Sequence, residues 1–345
     1  MIRFDSDYLE GAHPAVLKKL CETNGEQTPG YMEDAYCDQA RELIRRICQT
    51  PDAAVHFLVG GTQVNRTIIT YVLRPHQGVI SAETGHIACH ETGTIESSGH
   101  KVLTLPNRDG KISGAQVEEL CAAHYADASF EHTVQPGMVY ISNPTEFGTV
   151  YTRRELEELY AVCQKRGLPL YIDGARLGAA LHCEVCDYTL PEMAKLCDAF
   201  TIGGTKMGAL FGEALVITNP ALHKDFRYYI KQNTGMFAKG RLLGVQFIAL
   251  LEDGLYDRIG EYEVQLAMKL RKGLADKGWS FLMDSPTNQQ FVILPNAVLD
   301  ELRKNFGFSY SGAQPGDCAA VRFCTSWATT EENIDRLLAA IPAKE

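Results

Sequence analysis

The sequence predicts an α/β protein, with a mostly parallel sheet covered by helices and a smaller α+β region after it. Three observations predict it. Strand-like apolar runs alternate with helical stretches over the first two thirds of the chain. That rhythm changes after about residue 240. A chain of 345 residues also exceeds one ordinary domain and suits a large one plus a small one.

The elements follow in order. After a helix near residues 14–21, residues 53–60 read as a strand and 62–73 as a helix. Residues 78–83, 101–105 and 138–142 read as further buried strands. Thr152-Arg153-Arg154-Glu155 is a capping-box start, and Leu156, Leu159, Tyr160 and Cys163 then recur at helical spacing. Residues 168–173 and 199–203 are two more strands, with 190–196 as a helical link. A long helical region over 242–277 leads to a strand pair around 279–283 and 290–294. A helix at 297–305, a strand at 320–325 and a helix from Thr329 close the chain. The division expected is 1–30 packing with the small domain, 31–240 as the large ligand-binding domain and 241–345 as the small one.

Composition narrows the function. Hydrophobic residues make up 45% and charged residues 22%, the balance of a globular protein with a sizeable core. The net charge of −10 and the lack of a dense basic run disfavour nucleic acid as a partner. No stretch has the pattern of a signal peptide or the length to span a bilayer, so no membrane partner is expected. Eleven scattered cysteines fit free thiols in a reducing compartment, and the cytoplasm is the expected location. Cys183 and Cys186 form a lone Cys-x-x-Cys beside His182, with no second pair at metal-finger spacing, so no metal site is expected.

Several segments carry chemistry. Ala199-Phe-Thr-Ile-Gly203-Gly-Thr-Lys206 puts a lysine just past a buried strand, where desolvation frees its amine to form an imine. Leu170-Tyr-Ile-Asp173-Gly-Ala-Arg176 ends a strand in an acid that points toward the crevice where α/β proteins bind ligands. Alone, such an acid more often starts a turn or caps a helix. Pyridoxal phosphate needs a carboxylate at its ring nitrogen, so lysine and acid together suit that cofactor. Gly60-Gly61-Thr62 follows a strand and opens a helix, which lets backbone amides approach a phosphate. His86 follows a strand end and can stack on a ring or move protons. Arg322 sits on an apolar strand, where it requires an anion: a substrate carboxylate or a buried acid.

Taken together, these segments resemble the threonine aldolase family, the β-eliminating-lyase branch of fold-type-I pyridoxal-phosphate enzymes. The resemblance runs from about Phe4 to Ala340. Asp-Gly-Ala-Arg at 173–176 is its most specific piece; Gly-Thr-Gln-x-Asn at 61–65, the His86/Glu91 spacing and Thr205-Lys206 add to it. Val321-Arg322-Phe-Cys-Thr-Ser-Trp-Ala-Thr-Thr330 looks like the phenylserine-aldolase-like subgroup.

This resemblance implies a seven-stranded sheet in the large domain and specific roles. Lys206 would carry the cofactor, Asp173 would pair with its ring nitrogen, Gly61 and Thr62 would hold its phosphate, and His86 would stack on its ring. Ser6, Arg176 and Arg322 match positions that bind the substrate carboxylate. Tyr31 matches a residue supplied by a neighbouring subunit, and Lys239 and Arg241 lie where that neighbour's basic group reaches the phosphate. A homodimer or homotetramer with shared sites follows. Many members carry Thr-His-Asn where this chain has Thr145-Glu146-Phe147, so a second active-site histidine is replaced by Glu146 and a preference for threonine itself is no longer implied.

The activity implied is cleavage of β-hydroxy-α-amino acids to glycine and an aldehyde. His86 is the expected base, with Glu91 and Glu146 as the other groups able to serve. A β-eliminating lyase is the nearest alternative, followed by an aminotransferase and a non-catalytic protein on the same scaffold.

Overall fold

The computed structural model describes residues 1–344. Its strands are β1 (Ile2–Arg3), β2 (Ala54–Leu58), β3 (Gln77–Ala82), β4 (Val102–Leu105), β5 (Gln135–Ser142), β6 (Leu170–Asp173), β7 (Ala199–Gly203), β8 (Glu213–Ile217), β9 (Gln289–Pro295), β10 (Phe306–Gly307), β11 (Ser309–Gln314) and β12 (Cys318–Cys324).

Seven strands form one sheet in the order β2-β8-β7-β6-β5-β3-β4. Neighbours run parallel except β8, which is antiparallel to both β2 and β7. Helices cover both faces, which is why β6, β7 and β8 are buried at every position and show no alternation of apolar and polar residues. Side chains still alternate between two cores. Val139 and Ile141 of β5 enter the larger one, whereas Met138 and Tyr140 enter the other.

Strand β8 is absent from the sequence reading. Its apolar stretch is short, follows a glycine-rich loop and opens on a glutamate, so nothing local separates it from that loop. The capping box at Thr152 forms as expected, with Glu155 Oε2 accepting the Thr152 amide at 2.8 Å and Gly167 ending the helix Arg153–Arg166.

Beyond residue 240 the structure corrects two expectations. The helical region is two helices, Arg241–Leu251 and Leu255–Asp276, separated at Gly254, whose φ of 66° ends continuous helix. Residues 279–283 form no strand: they make one isolated bridge, Phe281 to Val292, before the chain turns away. The small sheet is instead antiparallel β11-β12-β9. Strand β11 escapes the sequence reading because its residues, Ser-Tyr-Ser-Gly-Ala-Gln, are polar or small and only half-buried at this sheet edge.

The N-terminus ties the parts together. Strand β1 pairs with β10, and Phe4 packs in the small-sheet core with Leu270, Val292 and Phe323. The helix Pro14–Glu22 lies on Arg241–Leu251, and Val16 joins the core beneath the large sheet. The carboxyl ends of β2, β3, β5, β6 and β7 all feed loops that reach one crevice, the place where parallel sheets bind ligands.

Candidate active site

Those loops enclose a cavity of about 350 Å3 lined by Gly61, Thr62, His86, Glu146, Asp173, Arg176 and Lys206, among others. Lys206 sits in a short helical turn, Thr205–Met207, on the hairpin from β7 to β8. Burial lowers its pKa, and the nearby Arg176 charge lowers it further. Asp173 is the last residue of β6 and is buried. Its Oδ2 accepts from Asn65 Nδ2 at 3.0 Å and from the Tyr140 hydroxyl at 2.9 Å. Its Oδ1 accepts only the Ala175 amide, at 3.1 Å, and so keeps a lone pair for a further donor.

These bonds belong to a ring of polar contacts around the site. Tyr140 meets Ser142 at 3.0 Å, Ser142 donates to Glu146 Oε1 at 2.5 Å, and the His86 amide donates to the same oxygen at 2.8 Å. His86 Nδ1 bonds Glu91 Oε1 at 2.8 Å, and Asn65 Nδ2 returns from Glu91 at 2.7 Å to Asp173. Burial opposes a charge on His86, but the Glu91 bond and the Asp173 charge outweigh it and raise its pKa above the ordinary value. For Glu146, whose Oε2 is buried without a partner, burial works the other way and raises the pKa.

Arg176 is held by a residue the sequence reading did not single out. Its Nε and Nη2 donate to Asp7 at 2.5 and 3.1 Å, and Asn288 Nδ2 reaches Asp7 at 2.9 Å. Burial works against the Asp7 carboxylate, yet the Arg176 charge holds its pKa well below the usual range.

Lys206, Asp173, Arg176, Gly61, Thr62, His86 and Glu146 therefore meet at one cavity, and Glu91 backs His86. The other expected residues do not line it. Ser6 is buried behind the wall, its hydroxyl 3.5 Å from Asp7 Oδ1. Among the described residues Arg322 pairs with no acid: it donates to Gln289 Oε1 at 2.9 Å and to the Asp5 carbonyl at 2.8 Å, and its Nε is buried without a partner. Tyr31 is exposed, with Lys231 Nζ 5.2 Å from its ring centre. Lys239 is exposed, and Arg241 donates to the Thr23 carbonyl at 2.7 Å.

The cavity's donors fit pyridoxal phosphate. Oδ1 of Asp173 can take a ring-nitrogen proton, and Lys206 lines the same space. The helix Gly61–Val72 has no side-chain cap, and an added Cβ at Gly60 or Gly61 would meet only open space. Its first amides are thus left for an external anion.

Residues 4–297 match the β-eliminating lyase family. The chain belongs to that family. A low specificity L-threonine aldolase of Pseudomonas sp. (strain NCIMB 10558) is 31% identical over 99% of this chain and 97% of its own. Another, from Pseudomonas aeruginosa, is 29% identical over 97% and 95%. A threonine aldolase of Leishmania major superposes with a TM-score of 0.95 at 43% identity, covering 99% of this chain and 98% of that one. An aspartate aminotransferase of Thermus thermophilus shares the fold alone, with a TM-score of 0.72 at 15% identity over 99% and 90%. This β-eliminating lyase family member thus has the fold-type-I architecture expected from its motifs.

Proposed function

We propose that the protein is a pyridoxal-phosphate-dependent aldolase that cleaves β-hydroxy-α-amino acids into glycine and an aldehyde. The observation that carries this reading is that Lys206 and Asp173 line one cavity. Lys206 would bond the cofactor's aldehyde, Asp173 would hold the proton on its ring nitrogen, and Gly61 and Thr62 would take its phosphate. When bound, the cofactor supplies a protonated conjugated ring that accepts the electron pair left at Cα as the Cα–Cβ bond breaks.

The chain's own groups do the rest. Arg176, fixed in plane by Asp7, would bind the substrate carboxylate. Ser6 and Arg322, which stand outside the cavity lining, would support that clamp from behind its wall, Ser6 through its contact with Asp7. His86 would stack on the cofactor ring and take the β-hydroxyl proton. Its Nδ1–H bond to Glu91 leaves Nε2 as the ring nitrogen able to accept one. Glu146 would face the substrate's β-substituent, in place of the histidine many relatives carry. Tyr31, Lys239 and Arg241 would serve a neighbouring subunit's site in a homodimer or homotetramer.

The test is product analysis of the holoenzyme with L-threonine, L-allo-threonine and phenylserine. Glycine and aldehyde in equal amounts are expected. A keto acid and ammonia in their place would overturn the aldolase reading in favour of β-elimination.

A further inference from the structure

Glu213 opens β8 between the two backbone segments that frame the cavity. In the sheet it stands opposite Gly203 of β7 on one side and Leu58 of β2 on the other. Leu58 runs on into Gly60–Thr62, and Gly203 runs on into Thr205 and Lys206. The residue is 5% exposed and lines the cavity, and its Oε2 accepts the Gly204 amide at 2.9 Å.

A carboxylate at this place opposes anion binding, since like charges in a buried site repel strongly. The neutral acid does the opposite, because its hydroxyl is a donor. With pyridoxal phosphate as occupant, as proposed above, we propose that Glu213 is a phosphate-binding residue. As the neutral acid it donates its proton to a phosphate oxygen held at the Gly60–Thr62 helix start, and as the carboxylate it weakens that anion's hold.

The surroundings favour the neutral form. Burial pushes the carboxyl up to about 7, against the Thr205 hydroxyl and the Lys206 charge, which pull it down. The charged and titratable groups facing it are Lys206 from its own hairpin, Asp173 and Tyr171 from β6, and Tyr256 from the helix Leu255–Asp276. Leu58 faces it from β2. An anion that binds the protonated form raises that value further. Affinity is then complete below about 7 and declines as the pH rises above it.

Titrating apoenzyme with pyridoxal phosphate over roughly pH 6 to 9, for wild type and Glu213→Gln, tests this. Glutamine keeps a donor but does not titrate. Wild-type affinity is expected to fall relative to Glu213→Gln by up to about tenfold per pH unit above neutrality. Pyridoxal, which lacks the phosphate, should give parallel profiles for the two proteins. Parallel profiles for pyridoxal phosphate, or an equal divergence with pyridoxal, would overturn the role. If Glu213→Gln does not fold, the wild-type ratio of pyridoxal-phosphate to pyridoxal affinity decides: a fall above neutrality supports the role, and a constant ratio overturns it. A wild type that never acquires a lysine-linked visible band refutes the cofactor assignment itself, a distinct outcome.

Discussion

Asp7 holds Arg176 by two parallel bonds, of 2.5 and 3.1 Å, although the residues are 169 positions apart in the chain. The acid comes from the N-terminal segment and the base from the loop after β6. One face of the cavity is therefore built only when the N-terminus has docked.

Asp7→Asn keeps the shape and removes the charge, leaving Arg176 buried without its partner. The expected cost is about 3–5 kcal/mol, read as a lower urea midpoint at unchanged m value. The pH dependence has a definite sign. Folding lowers the Asp7 pKa, so its contribution is complete above the unfolded carboxyl value of about 4 and is lost as pH falls below it. Acidification should thus narrow the stability gap between wild type and Asp7→Asn.

His86→Phe should lower kcat by about 10²–10⁴-fold while cofactor binding persists, as removal of a positioned base does. Glu91 supplies the bond that raises the His86 pKa. The base must be neutral to act, so activity climbs as pH rises through that value. In Glu91→Gln this acidic limb of the kcat/KM profile should move to lower pH; an unmoved limb would assign the titration to another group.

The wild-type holoenzyme is expected to show a visible band that borohydride bleaches, and Lys206→Ala should abolish it, and turnover with it. A variant that kept that band would show that another amine carries the cofactor.

Gly174 directly follows Asp173, the acid proposed to pair with the ring nitrogen. A Cβ there would collide with the Thr201 carbonyl of β7, backbone that cannot swing aside. Gly174→Ala should cost about 1–3 kcal/mol as overpacking and displace Asp173, which thermal melts and cofactor affinity would register together.

The sequence made the loop residues legible because each follows a strand end with its own signature: Gly60-Gly61-Thr62, Asp173-Gly174 and Thr205-Lys206. Partners reached only through tertiary folding were not. Asp7 lies in a short polar segment with no periodicity, and Tyr140 reads as one more apolar residue of a buried strand. Asn65 did leave a trace: it closes the Gly-Thr-Gln-x-Asn stretch at 61–65. Glu213 was hidden along with the strand it begins. Arg322 on its apolar strand points in the sequence to an anion, whereas in the fold it donates to a neutral amide oxygen and a backbone carbonyl.

Because β8 returns antiparallel to β7, the loop bearing Lys206 leaves the sheet and re-enters it at the same paired rung, Gly203 opposite Glu213. A loop moored at both ends to one rung has a fixed span, so adding or deleting a residue there would slide the amine along the crevice rather than simply lengthen a surface excursion. Homologues of this chain should consequently tolerate length variation at the tip between β11 and β12 far better than between Gly203 and Glu213.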